Sequence, residues 1–306
     1  MKKLTPHKFA VLFIGLLFFV SCSHTEQPAA PEGKPAELTK QSMQTNSENC
    51  VALPSDLISW WPGDGNANDI AGGNHGILQN GATFGPGIVA QAFSFDGQDD
   101  FVSISNFDDL DGLSNATFEF WVNVNAIPSD PRCNSGSCGI VLFSKNDFVL
   151  AIGINSLLKI EVSRGNGSNW GGDFTLSTGS LTGLNQWSHV AVVINGTIDK
   201  IYINGVLNTT NTQVENSFAN FGGLVFGSGF SGDYIFLDGD LDEITVYKRV
   251  LSDDEIQAIY NAGSAGKCKK VKICHKPGTP AQRTLEIPVQ ALAGHLGHGD
   301  TIGSCQ

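Results

Sequence analysis

Between Cys50 and Cys268 the chain alternates apolar and polar residues in short runs, each closed by Gly or Asn. The clearest runs are "AFSFDGQDDFVSI", "TFEFWVNV", "WSHVAVVI" and "KIYINGVL". A period of two residues places successive side chains on opposite faces of a strand, so each run buries one face. Asn204-Gly205 suits a hairpin turn with positive φ, and Asn195-Gly196 is a second candidate. Many short strands with few helical runs predict an all-β fold, a two-sheet antiparallel sandwich or jelly roll. With 36 Gly, 2 Met and only 16% charged residues, the composition suits a turn-rich exported protein.

One helix is written clearly into the end of this region. Ser252 is placed as N-cap, with Glu255 completing a capping box three residues on. Ile256 and Ile259 supply the buried stripe, and Gly263 ends it.

The first residues, "MKKLTPHKFAVLFIGLLFFVSCS", read as an export signal. Lys2, Lys3 and Lys8 precede an apolar stretch from Phe9 to Val20, which is shorter than the ~20 residues of a membrane span. "FVSC" resembles the bacterial lipobox, with Phe19 departing from the usual Leu. It predicts lipidation at Cys22, residues 1–21 as the signal and residence in the bacterial cell envelope, at the outer membrane or cell surface. The alternative is an ordinary secretory signal with Cys22 nearby by chance. Residues 22–49 are polar, rich in Pro, Ala, Glu and Gln, and read as a flexible tether. Loss of residues 1–21 removes three lysines and moves the formal net charge from −12 to −15. That acidity speaks against nucleic acid as a partner and leaves the lipid anchor as the expected link to a membrane.

Six cysteines remain after Cys22, an even count that suggests disulfides in an exported chain. Position favours three pairs: Cys133–Cys138 across "CNSGSC", Cys50–Cys268 around the long middle region, and Cys274–Cys305 around the tail. From residue 267 the charge balance inverts, with six Lys and Arg against Glu286 and Asp300. Residues 267–306 are therefore expected to form a small disulfide-stapled Cys-His module. His295 and His298 share a face of a short helix and, with His275 and Asp300, could form a zinc-like site. Hydrogen bonding alone is the competing role for these histidines.

Four stretches, in order, resemble the LamG-like jelly roll of the concanavalin A-like lectin and glucanase superfamily. They are "LISWWPGDGNANDIAGGNHG", "AFSFDGQDDFVSI", "TFEFWVN" with "WSHVAVVINGTIDKIYINGVL", and "GDLDEITVYKRVLSDDEIQAIYNAG". The resemblance gives residues 50–266 as the domain and implies two curved antiparallel sheets with both ends on adjacent strands. That adjacency would bring Cys50 and Cys268 within disulfide reach.

Two carboxylates raise a question in this frame. Asp242 alternates with Ile244 and Val246, and Asp100 with Val102 and Ile104, so each is expected in line with core residues. A buried carboxylate needs a cation or saturating hydrogen bonds. The family often binds calcium at the sandwich rim, which makes Asp69, Asp100 and Asp242 the expected ligands. Backbone N–H capping of Asp100 and Asp242 is the alternative.

The same superfamily includes glycoside hydrolases, which need two carboxylates across one cleft. "DGDLDEIT" (Asp238, Asp240, Asp242, Glu243) lacks the hydrolase strand pattern, and Glu119 has no partner in sequence. A non-catalytic recognition module for a glycan or glycosylated surface is therefore the expected function, with a protein-binding scaffold as the alternative. Trp170, in the polar stretch "RGNGSNWGGDF", is the candidate stacking ring, with Arg164, Asn169 and Asp173 beside it. Covering a sheet edge is the competing role for Trp170.

Overall fold

The computed structural model describes residues 50–127, 137–144, 149–165, 170–212, 218, 222–229 and 235–305, without the side chains of 137–141, 143, 144, 170–173 and 293. The signal, the tether, Cys22, Cys133 and Asn169 lie outside the described residues, as do the side chains of Cys138, Trp170 and Asp173.

In chain order the strands begin with β1 (Leu57–Trp61), β2 (Ile77–Gln79), β3 (Thr83–Pro86), β4 (Gln91–Asp96), β5 (Phe101–Ile104) and β6 (Asn115–Ala126). They continue with β7 (Ser137–Ser144), β8 (Leu150–Asn155), β9 (Ile160–Gly165), β10 (Trp170–Leu176), β11 (Trp187–Asn195) and β12 (Ile198–Ile203). The last are β13 (Val206–Thr212), β14 (Leu224–Phe226), β15 (Asp238–Tyr247), β16 (Lys270–His275), β17 (Arg283–Pro288) and β18 (Thr301–Ile302). Helix α1 spans Asp253–Ala262, and α2 spans Leu292–Gly297.

Two antiparallel sheets form the sandwich. One runs β13-β12-β11-β6-β15-β4-β3, with β1 also paired to β15; the other runs β10-β9-β8-β7-β14-β5-β2. Their facing sides bury one apolar core in which Trp61, Phe93, Phe118, Phe120, Ile152, Val192, Phe226 and Ile244 take part. The alternation predicts this inward set because each strand contributes every second residue. The Asn204-Gly205 turn has φ of 51° and 76°, the paired positive angles of a tight two-residue hairpin. At Asn195-Gly196 only Gly196 (φ 61°) takes a positive angle.

The first sheet's outer face is also buried. Ala191, Val193, Tyr202 and Tyr247 pack there against Leu251, Ile256 and Ile259. Ser252 accepts the Glu255 N–H while the Glu255 carboxylate accepts the Ser252 N–H, the reciprocal cap expected from the sequence. Gly263 follows the helix with φ 48°.

Cys50 and Cys268 are bonded, as are Cys274 and Cys305. The two ends of the sandwich meet beside the first disulfide, where Val51 bridges Lys267 and exchanges backbone hydrogen bonds with Gly266 and Cys268, each at 2.9 Å. Strands β17-β16-β18 then form a separate three-stranded sheet.

Candidate functional site

At the rim of the sandwich, β4 turns into β5 through "DGQDD". The turn is tight, with Gly97 at φ 74°, and it is tied by its own side chains. Asp96 accepts from the Gln98 backbone and side chain, each at 2.9 Å, and Asp100 Oδ2 accepts the Asp96 N–H at 3.1 Å. Asn80 fastens a neighbouring loop by donating to the Asp99 carbonyl at 2.7 Å. The backbone of Gly81 passes so close that a Cβ there would come within 2.8 Å of Asp100 Oδ1.

These segments wall an open cleft of about 500 Å³, lined by Asn80, Thr83, Ser94, Phe95, Asn125 and Asp238 together with the three turn aspartates. Carboxylate oxygens of Asp96, Asp99 and Asp100 lie within 4.8 Å of one another. Asp238 reaches the same wall because it opens β15 directly opposite Asp96 of β4. Burial raises the Asp100 carboxyl above its ordinary value; the Asp96 N–H opposes this, and the charges of Asp96 and Asp99 add to it. Asp238 is raised likewise, by burial first and then by Asp96 and Asp240, against a hydrogen bond from Asn125. Crowded carboxylates in a polar, hard-oxygen cleft are the donor set that calcium takes.

The residues expected to hold calcium do not converge. Among the described residues Asp69, Asp100 and Asp242 form no common group, and only Asp100 belongs to the rim cluster. Asp69 caps its own loop, accepting N–H bonds from Trp60, Ala71, Gly72 and Asn74 at 2.8–3.1 Å. Both of its oxygens are committed to the backbone, so it has little left for a cation.

Asp242 departs from the alternation that placed it in line with Ile244 and Val246. It pairs with Trp121, whose neighbours Phe120 and Val122 face the core, whereas Leu241 pairs with Val122. The register of β15 against β6 slips between Asp242 and Thr245, and Glu243 takes φ 55°. This β-bulge shifts the phase by one residue, so Leu241, Ile244 and Val246 face the core while Asp242 faces outward. There Asp242 Oδ2 accepts the Val89 N–H at 2.9 Å, the capping role weighed as the alternative for it. Asp100 likewise accepts a backbone N–H while sitting in the cleft. Gly87 allows the close approach, since a Cβ there would meet Asp242 Oδ2 at 2.5 Å. Burial, opposed by the Val89 N–H, pushes Asp242 up to about 8.

Glu119 faces away from the main core, as its alternation implies, but it is fully buried beside Lys267. Lys267 Nζ lies 3.1 Å from its Oε2 and 3.2 Å from Glu243 Oε2, and His189 Nε2 is 3.0 Å from Oε1. The ammonium also sits 5.4 Å over the Trp60 ring. Burial alone would raise Glu119; Lys267 and His189 more than offset it and hold the carboxyl below its ordinary value. Burial would lower Lys267, yet its two glutamates keep it raised. These glutamates are sealed from solvent and cannot reach a substrate.

Trp170 opens β10 opposite Gly165, at the edge of the second sheet, and Asp173 lies farther along the strand. Arg164 is not on a ligand-accessible loop. It is in phase with Ile160 and Val162 on β9, and its guanidinium crosses between the sheets to Asp199 on β12 at 2.9 Å, buried at both ends. A desolvated arginine tied to a carboxylate and to the Gly196 carbonyl at 3.0 Å is structural. In the tail, His275, His295 and Asp300 converge, while His298 lies beside His295 with ring centroids 5.5 Å apart.

Of the expected residues, Asp100 lines the rim cleft and His275, His295 and Asp300 lie together in the tail, while Asp96, Asp99 and Asp238 line the rim without having been expected there. The missed signal was present: "FDGQDD" carries three carboxylates in five residues of a turn.

Residues 96–257 match the model of the concanavalin A-like lectin/glucanases superfamily. No curated protein sequence matches the chain. Among solved structures, domain 4 of a GH43 extracellular arabinanase from Geobacillus stearothermophilus, in complex with arabinotriose, superposes with a TM-score of 0.53 at 15% identity, covering 66% of this chain and 97% of that one. The botulinum neurotoxin type G receptor-binding domain gives 0.52 at 14% identity, with 76% and 62% covered. The binding domain of botulinum neurotoxin DC, in complex with rat synaptotagmin II, gives 0.53 at 18%, with 72% and 54% covered. The chain therefore spans little more than half of these neurotoxin domains. At such identities the likeness is one of fold.

Proposed function

The chain belongs to the concanavalin A-like lectin/glucanases superfamily, and from that premise we propose that it recognises carbohydrate without cleaving it, through the calcium-loaded rim cleft. The observation that carries this reading is the cleft's wall: Asp96, Asp99, Asp100 and Asp238 beside the carboxamides of Asn80 and Asn125 and the hydroxyls of Thr83 and Ser94. Sugar hydroxyls need such a mixture of acceptors and donors, and a calcium ion on the three turn aspartates would add direct coordination of a hydroxyl pair. The ion also answers the electrostatic problem of the cluster, because it neutralises carboxylates that burial and mutual repulsion disfavour. Asp69 and Asp242 have no place in this site.

Hydrolysis is disfavoured on chemical grounds. The buried glutamates of the first sheet are held by Lys267, and the rim carboxylates are better used as cation ligands than as an acid and base pair. The arabinanase domain was solved with arabinotriose, which makes arabinose oligosaccharides a sensible first probe.

The test is a glycan array with the purified protein in calcium and in excess chelator, followed by calorimetry on the best hit. Binding that needs calcium and falls at least tenfold in Asp99→Asn/Asp100→Asn is expected. Reducing-sugar release from the bound glycan would overturn the non-catalytic reading. A blank array in calcium would leave the protein-binding scaffold in its place.

A further inference from the structure

The tail contains a second group of converging ligands, built by a different part of the chain. Strand β16 pairs antiparallel with β18, and Cys274 lies opposite Thr301. Continuing that register sets His275 opposite Asp300. The third residue comes from α2: the Asp300 N–H donates to the His295 carbonyl at 3.1 Å, and Gly299, at φ 90°, turns the chain back on the helix. Asp300 is thereby fixed between two imidazoles. Its Oδ2 lies 2.8 Å from His275 Nδ1 and 2.7 Å from His295 Nδ1.

We propose that His275 Nδ1, His295 Nδ1 and Asp300 Oδ2 bind one borderline divalent cation of the zinc class. Two neutral imidazole nitrogens and one carboxylate oxygen are the donor types that such ions select, and three protein ligands leave a position for water or an outside ligand. Ligand atoms on a tetrahedral zinc with bonds near 2.0–2.1 Å stand ~3.3 Å apart. The present 2.7–2.8 Å separations therefore need only about half an ångström of opening. The carboxylate is already oriented for this role, because Asp300 Oδ1 accepts the Lys276 N–H at 2.9 Å, the outer-shell support typical of metal ligands.

Exposure matches as well. Asp300 is 2% exposed at its side chain, whereas His275 and His295 are 20% and 24% exposed, so an ion can enter from solvent over an anchored carboxylate. The fold does not need these three side chains as its staple, because Cys274–Cys305 closes the same segment. The proposal is independent of the glycan-binding reading, since no tail residue lines the rim cleft.

The experiment uses the full chain, free of any histidine tag and stripped with chelator. Zn²⁺ is titrated in competition with a chromogenic chelator, and Co²⁺ loading is followed by visible absorption. One equivalent per chain is expected, with Co²⁺ bands of low coordination number. His295→Gln, which keeps the His275–Asp300 and Lys276 contacts, should weaken binding at least tenfold while far-UV circular dichroism is unchanged, and His275→Gln should do the same. His75→Gln, in the sandwich, should bind as wild type. Absence of stoichiometric binding to wild type would overturn the proposal, and so would undiminished binding by a folded His295→Gln protein.

Discussion

Asp242 carries a proton to a place where few carboxyls would keep one. Its Oδ1 is buried without a hydrogen-bond partner, and the group is raised from an ordinary 3.8 to about 8 by burial, opposed by Val89 and reinforced by Glu243. Between those two values the folded chain holds a proton that the unfolded chain has lost. Stability contributed at this position is therefore greatest in acid and falls as pH rises from about 4 to about 8. Asp242→Asn keeps an oxygen for the Val89 N–H and removes the titration. It should match wild type near pH 4 and exceed it progressively toward pH 8, by about 4–6 kcal/mol at ~1.4 kcal/mol per unit of displaced pKa. Urea denaturation of both proteins at pH 5 and pH 8 measures this. An identical difference at the two pH values would place the proton elsewhere. Lys267 and Glu119 act in the opposite sense: their pairing stabilises above the glutamate's range and below the lysine's, and is lost at either extreme.

Elements differ in how much of themselves they write into the sequence. Helix α1 is legible because its start is a chemical signature: Ser252 and Glu255 cap each other, and Ile256 and Ile259 fall on the buried face. The helix in turn covers the outer face of the first sheet, so its cap acts on a packed element. Ser252→Ala should lower global stability by about 1 kcal/mol, read as a shift in urea midpoint at constant slope; Ser252→Thr, which can still accept the Glu255 N–H, should lose less. An unchanged midpoint in the alanine variant would mean that packing alone holds the first turn. Strand β15 is less legible. Its apolar alternation fixes that it is a strand, but the bulge at Asp242–Glu243 requires a glutamate at φ 55°, and no Gly or Asn marks it. One slipped residue therefore sends Asp242 to the opposite face and separates it from the rim that Asp100 occupies. Arg164 shows the converse case: its phase with Ile160 and Val162 already places it inward, but a charged side chain in a polar stretch looks like surface until Asp199 is found across the core.

At the scale of the whole molecule, the two ends of the sandwich are joined three ways: by Cys50–Cys268, by backbone hydrogen bonds of Val51, and by Lys267 buried between Glu119 and Glu243. The disulfide was readable from position, because its cysteines flank the alternating region. The ion network was not, since Lys267 lies 148 residues from Glu119 and only the closed fold brings them together. With its cysteines 218 positions apart, the disulfide constrains the unfolded chain strongly, by roughly 5 kcal/mol in the chain-entropy model. That term does not depend on pH. Lys267→Met behaves differently, because it leaves two carboxylates buried without a cation, at about 3–5 kcal/mol near neutrality. This cost should shrink as pH falls and the glutamates take up protons, Glu243 first, because burial already raises it above its ordinary value. The two joints are neighbours in sequence, so they should also couple. If the disulfide seats the Lys267 backbone, Lys267→Met should cost less in a Cys50→Ser/Cys268→Ser background than in wild type. Denaturant unfolding of the four proteins at pH 5 and pH 7.5 closes the cycle. Strict additivity would show that the strand bridge of Val51 alone positions Lys267, and that the disulfide acts only on the unfolded chain.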